Sequence, residues 1–338
     1  MSTVELPDST APSAAGASRE SGCDEHRAPR DLQRALLLIV ATLWLLDAVL
    51  QIQPSMFAPG PGGLSGMLNS SAGANPGWIA HSITWNASIF YHHPVLTNTL
   101  CALVQFSIAF GIVSKRTCRP ALALSVAWAL GVWWFGEGLG AIFSGGATPL
   151  RGGPGGALFY VLLAVLLWPS EGSDRPFVAA RSVGPKAAKV LWITAWALLA
   201  LLAVLGSGRS PRALHDQVVR MSSGQPGWLA AIDRHVALLL LHDGTPLAFS
   251  FGVVCVVVAG AILLPPTLTR VALVLAIAVF ASIWVATQNF GGILAGGATD
   301  PNSGPLVVVL ALTYWPLTAA RATPNDTAPD SVVVAEAT

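Results

Sequence analysis

The chain has 338 residues, 53% apolar and only 10% charged, with a formal net charge of +1. An ordinary soluble domain carries roughly a quarter charged residues, so this composition excludes a typical water-soluble globule and leaves a chain that buries its surface in lipid or in itself. The near-zero net charge also excludes the basic footprint of a nucleic-acid-binding protein.

Residues 1–33 are rich in Ser, Ala, Pro and charge without apolar periodicity, and read as a disordered tail. The first apolar run begins near Ala35, too late for the apolar core of a secretory signal, and reads as a retained membrane anchor. Spans of near the ~20 residues needed to cross a bilayer are expected at about 35–54, 97–114, 120–143, 153–169, 188–206, 246–264, 269–294 and 304–320. The segments starting at Pro76 and Pro226 place Pro at a helix-entry position and Trp78 or Trp228 just after it. Each reads as an amphipathic helix lying on the outer surface or capping the bundle. Pro211–Ser223 reads as a shorter partner with Leu214, Val218 and Met221 near one face. Residues 322–338 form a second polar tail.

The chain repeats itself. Trp133–Thr148, ending Gly145-Gly146-Ala147-Thr148, returns as Trp284–Thr299, ending Gly296-Gly297-Ala298-Thr299. Pro76-Gly77-Trp78 returns as Pro226-Gly227-Trp228. The expected fold is therefore all-α and integral to the membrane, with eight transmembrane helices in two four-helix repeats, residues 34–170 and 188–321, joined by a cytoplasmic linker at 171–187. An even number of spans per unit makes the repeats parallel.

Lys and Arg set the orientation. The N-terminal tail, the turn at Lys115–Arg119, the linker, Arg270 and Arg321 hold 13 of the 18 basic residues. Both termini are thus expected in the cytoplasm. The segment 207–245, with Arg209, Arg212, Arg220 and Arg234, is the exception to this asymmetry.

Glu137 is the sharpest single residue, because a charge at bilayer depth costs at least about 2.5 kcal/mol and must pair, neutralise or meet water. Its bland reading is a boundary Glu, its functional reading a proton, cation or substrate ligand, and a third reading is a purely structural hydrogen bond between helices. Asp47 is the second acid expected within the spans, and two buried acids in one unit can share a proton or a cation. Aligning the copies places Gln288 opposite Glu137 and Leu199 opposite Asp47, which implies a charged first half and a neutral supporting half. Gly136 with Gly140, and Gly292 with Gly296, have the spacing of close helix packing. Thr148 and Thr299 read as turn caps in the Gly-rich outer loops, and Trp133 and Trp284 as walls of an apolar site. The outer loops lack the Gly-Lys-Ser/Thr ending of a phosphate cradle, so nucleotide binding is rejected.

Six of the seven histidines fall on the expected outer face, with the equivalent pair His92 and His242 the candidates for a metal. Without a compact ligand motif, the bland reading is interfacial side chains. The four cysteines form no Cys-x-x-Cys pair and read as buried or cytosolic thiols. No cofactor is indicated, and no catalytic triad or elbow appears, so an enzyme is the least supported class.

The stretch Gln105–Val113, a basic turn and Arg119-Pro120-Ala121-Leu122 resemble the DoxX/DoxD type of bacterial four-helix membrane module, which would imply a redox or quinone-linked role. The Gly136-Glu137-Gly138 and Gly-Gly-Ala-Thr strings resemble an actinobacterial family of duplicated membrane proteins with no assigned function. That resemblance implies a multi-pass protein of the bacterial cell membrane. Three functions compete. The first is binding or translocation of a proton, cation or small solute through an outward-facing site between the repeats, built by Glu137, Asp47 and Gln288. The second is a redox or quinone-associated subunit, and the third a scaffold or assembly factor. The expected partners are the lipid bilayer and a membrane partner protein or second copy of the chain.

Overall fold

The computed structural model describes residues 17–170, 175–205 and 210–317. The expected tail at 322–338 and the first part of that at 1–33 lie outside the described residues. Every regular element among the described residues is helical. Six helical segments are long and apolar enough to cross a membrane: Leu32–Gln51, Pro94–Val113, Cys118–Gly136, Pro185–Leu205, Gly227–Ala261 and Pro266–Ala295. Each overlaps one expected span.

The remaining two expected spans differ. They contain helices of only 11 residues, Gly156–Leu166 and Ser303–Thr313, which at about 1.5 Å per residue rise some 16 Å, roughly half the hydrocarbon thickness. Both stop before a Trp-Pro pair, Trp168-Pro169 and Trp315-Pro316, and a residue preceding Pro disfavours the helical region. Apolarity gives these segments the look of full spans; the helices within them reach only about half that length.

In chain order the α-helices are α1 (Ala17–Gln51), α2 (Leu64–Ala72), α3 (Gly77–His92), α4 (Pro94–Val113), α5 (Cys118–Gly131) and α6 (Gly156–Leu166). Next come α7 (Ala179–Val183), α8 (Pro185–Leu205), α9 (Pro211–Met221), α10 (Gly227–Ala261), α11 (Pro266–Ala286) and α12 (Ser303–Thr313). α1 packs on α4 and α8 on α10; α5 packs on α6 and α11 on α12. The two short helices meet each other at the centre of the bundle. Their buried side chains, among them Leu163, Leu166, Leu306 and Leu310, join Trp44, Trp192, Trp196 and Phe280 in one core.

The segments after Pro76, Pro211 and Pro226 are helical, and the first and last of them differ. α3 is a separate helix that ends at His93, where Pro94 opens α4. Its counterpart is continuous with the following span in α10, which bends at Asp243 and carries Pro246 inside. α3 packs on α2 and buries Ile79 and Ile83 against Ala72 and Leu139. α9 buries Leu214 and Val218 against Ala237 and Leu240 of α10. Trp78 and Trp228, each more than half exposed, face outward at matching positions, as interfacial Trp does.

The basic residues cap helix ends at one pole. Arg34 donates to the Ile112 carbonyl at 3.0 Å and to that of Val113. Arg119 donates to the Pro169 carbonyl at 3.1 Å, and Arg270 to that of Pro316 at 3.3 Å. Glu137 lies 18 positions beyond Arg119, about 27 Å along a helix, so the Gly-rich loops sit at the opposite pole.

Candidate functional site

The site is built where α5 runs out. Its last turn widens into a π-helix, Val132–Gly136, and the Glu137 amide donates to the Val132 carbonyl at 2.9 Å, five residues back. The Gln288 amide makes the same bond to Ile283 at 3.0 Å. Such π-turns re-aim the side chains that follow them.

The backbone then turns left-handed. Gly138, Leu139, Gly140 and Ala141 have φ of 55°, 56°, 63° and 58°. Asn289, Phe290, Gly291 and Gly292 have 49°, 55°, 75° and 81°. For a non-glycine residue this conformation costs about 1–2 kcal/mol. Burial offsets it at Leu139, 3% exposed, since hiding a Leu side chain contributes about 1.5–3 kcal/mol. Gly140 is fixed by contact: a Cβ there would stand 1.7 Å from the Pro154 oxygen. Gly140, Gly292 and Gly296 thus serve turns, and the expected close helix packing through the Gly-x-x-x-Gly pairs does not occur.

These turns deliver Glu137 and Gln288 to the first turns of the two buried helices. Glu137 Oε1 accepts from the Ala157 amide of α6 at 3.0 Å. Gln288 Oε1 accepts from the Gly304 amide of α12 at 3.1 Å. Both satisfy amides that a helix N-terminus leaves free. Trp133 and Trp284 brace the same loops: their indole N–H groups donate to Pro154 O at 2.8 Å and Pro301 O at 2.7 Å. Trp133 packs beside Glu137, with both contacting the space a Cβ on Gly155 would fill.

The two capping side chains differ in what is left over. The Gln288 amide nitrogen donates to Ser303 Oγ at 3.0 Å and across to Pro149 O at 3.2 Å. Thr287 follows it across to Leu150 O at 3.0 Å. Gln288 is 0% exposed and its amide bonds on both sides. The Glu137 Oε2 atom is buried and has no partner.

Glu137 lines a cavity of about 240 Å³ with Thr148, Arg151, Asp300 and Asn302 and a wall of glycines. Asp300 and Asn302 come from the loop after Thr299. Asn302 Oδ1 caps α12 through the Ser303 amide at 2.7 Å, and its Nδ2 reaches the Arg151 carbonyl at 3.4 Å. Gly152 leaves room for it, since a Cβ there would lie 1.9 Å from Asn302 Oδ1. Thr299 donates to Asp300 Oδ2 at 2.9 Å, and the Asn302 amide to Oδ1 at 2.7 Å. Thr148 accepts from the Leu150 amide at 3.4 Å, so both threonines hold turns as expected. Desolvation by the loops, then the nearby Arg220 charge, pulls the Arg151 guanidinium below its ordinary range.

Asp47 lies deeper and belongs to the same acidic group. It is 2% exposed, and the Tyr160 hydroxyl donates to its Oδ2 at 2.8 Å. Its Oδ1 is buried without a partner. Trp44 stacks on Tyr160 with ring centroids 4.1 Å apart. Asp47, Glu137 and Asp300 are close enough to interact electrostatically. The positions that the sequence alignment sets opposite them are Leu199 and Val307, both buried. Acid and hydroxyl are replaced together.

The half read as neutral also buries an acid. Asp233, 1% exposed, accepts from Asn289 Nδ2 at 2.8 Å. Its counterparts are the apolar Ile83 and Gly138. Asp233 escaped the sequence reading because it sits on a helix read as superficial, and Asp300 and Asn302 because a polar loop residue carries no signal of its own. The Asn302 position could have been found from the loop alignment on Pro154 and Pro301, which face the two tryptophans.

The histidines do not converge. His242 Nδ1 meets the Leu238 carbonyl at 2.9 Å, and His92 packs edge-on to Tyr91. Among the described residues, no group of three or more His, Cys, Asp or Glu is placed to hold a metal ion.

Six membrane-length apolar helices around a buried pair of short ones define a polytopic helical membrane protein. No protein-family model, curated protein or solved structure matches the chain.

Proposed function

We propose that this protein binds, and passes across the membrane, a proton, cation or small solute through an outward-facing site between two parallel repeats, with Glu137 as the central ligand. The observation that carries the reading is the cavity of Glu137. It is lined from both halves of the chain, and a buried carboxylate oxygen beside it has no partner. A buried acid without a full set of partners is costly. A ligand that completes the set offsets that cost.

The duplication is supported by contacts that recur in both halves. The π-turn bonds, the left-handed turns, the Trp-to-Pro bonds and the Arg119 and Arg270 caps all pair one to one. On this reading each repeat supplies three long helices and one short buried helix, and the short helices with their flanking loops complete an eight-pass arrangement. Half-length helices whose N-termini meet at a binding site are a known device of transporters built from repeats. The basic pole lies in the cytoplasm of a bacterial cell, with both termini, and the cavity faces out.

The test is flux in proteoliposomes, with an imposed pH gradient or sodium gradient as the driving ion. Wild-type protein dissipates one of the gradients, and Glu137→Gln does not. Equal flux through both proteins removes Glu137 from the reading.

A further inference from the structure

The cavity carries both signs of charge, and they do not neutralise each other. Glu137 holds one oxygen to the Ala157 amide and leaves the other buried and free. Arg151 lines the same cavity, yet its guanidinium makes no hydrogen bond or ion pair among the described residues. Its backbone is fixed from the second copy through Asn302. Arg220 of α9 stands near enough to repel it, and likewise has no ion pair among the described residues. The acidic side is deepened by Asp300 and Asp47.

Opposite charges in one small cavity ordinarily collapse onto each other. Here Glu137 is held by the first turn of α6, and the exposed Arg151 side chain has no partner among the described residues. A bare metal ion or proton would use only the acidic side. A carboxylate alone would use only the rim. A molecule with an ammonium at one end and a carboxylate at the other uses both, with charge-assisted hydrogen bonds at each.

We propose that the cavity takes a small zwitterion, a free amino acid of the primary-amine class. Its ammonium donates to the Glu137 carboxylate and its carboxylate accepts from Arg151. The volume of about 240 Å³ corresponds to some eight waters at roughly 30 Å³ each, which admits a compact amino acid. This inference rests on the reading of the cavity as a binding site and names its ligand.

The experiment is equilibrium binding to the full chain in nanodiscs, followed by tryptophan fluorescence, since Trp133 lies beside Glu137. The probes are L-alanine, β-alanine and γ-aminobutyrate, which step the distance between the charges, with ethylamine and propionate as half-molecules. At least one zwitterion binds, each half-molecule binds about tenfold more weakly or worse, and Glu137→Gln and Arg151→Gln each weaken the zwitterion by about tenfold or more. Both variants fold, because Gln288 already makes the Glu137 cap in the second copy and Arg151 has no side-chain partner to lose. If no zwitterion binds wild-type protein, or ethylamine binds as well and Arg151→Gln changes nothing, the zwitterion is wrong. Proton or sodium flux that depends on Glu137 would then still uphold the broader reading. Zwitterion binding unaffected by Glu137→Gln would overturn both.

Discussion

The Tyr160 hydroxyl donates to Asp47 Oδ2 at 2.8 Å, one helical turn along α6 from the Ala157 amide that Glu137 accepts. One short helix therefore presents a partner to each of two acids. Leu199 and Val307 at the matching positions show that the same core closes without the acid–hydroxyl pair. The pair is not required by packing. Tyr160→Phe removes the only hydrogen-bond partner that Asp47 has among the described residues and lowers stability by about 1–3 kcal/mol. Asp47→Asn keeps an oxygen for the hydroxyl and costs less. Thermal unfolding in detergent compares the two, and the reverse order would contradict this account.

Glu137 has a structural duty separable from its proposed one. Glu137→Ala orphans the Ala157 amide at the start of a buried helix and costs about 1–3 kcal/mol. Glu137→Gln retains the acceptor and unfolds within a fraction of that of wild type. A Gln variant as unstable as the Ala variant would mean that the negative charge itself, favoured at a helix N-terminus, holds α6 in place.

Gly155 has φ of +120° and faces the free Glu137 oxygen at 2.1 Å from its missing Cβ. Gly155→Ala therefore disturbs both the turn and the acid, with a loss of more than about 1 kcal/mol. Gly260, on α10, has open space around it, and Gly260→Ala is neutral or slightly stabilising by helix propensity. Unfolding midpoints of the two variants, measured side by side, check this contrast.

Asn289 suits the left-handed turn better than most residues and also donates to Asp233. Asn289→Ala strands a buried acid and costs about 1–3 kcal/mol. The double change Asp233→Ile with Asn289→Gly installs the combination found at Ile83 and Gly138. It recovers most of that loss in a double-mutant cycle. Additive losses would show that the second copy cannot use the first copy's solution.

Much of the frame was legible in the sequence. The repeated Trp…Gly-Gly-Ala-Thr string marks both ends of the site and sets Gln288 opposite Glu137. The six long helices follow from apolar runs alone. What was lost has physical causes. Hydropathy averages over a window, so α6 and α12 looked long although Trp-Pro pairs end them. The left-handed turns were half visible in Gly138, Gly140, Gly291 and Gly292, but Leu139 and Phe290 carry no such mark. Asp300 and Asn302 gain importance only from folding against Arg151 and Gly152, a contact between residues some 150 positions apart.

The most direct test of the central claim is infrared difference spectroscopy of the carboxyl stretch, recorded as L-alanine, γ-aminobutyrate or sodium is added to the full chain in nanodiscs. The account predicts a ligand-induced carboxyl band that disappears in Glu137→Gln and persists in Asp233→Asn. The same band in Glu137→Gln, or its loss only in Asp233→Asn, would contradict the assignment of the site to Glu137.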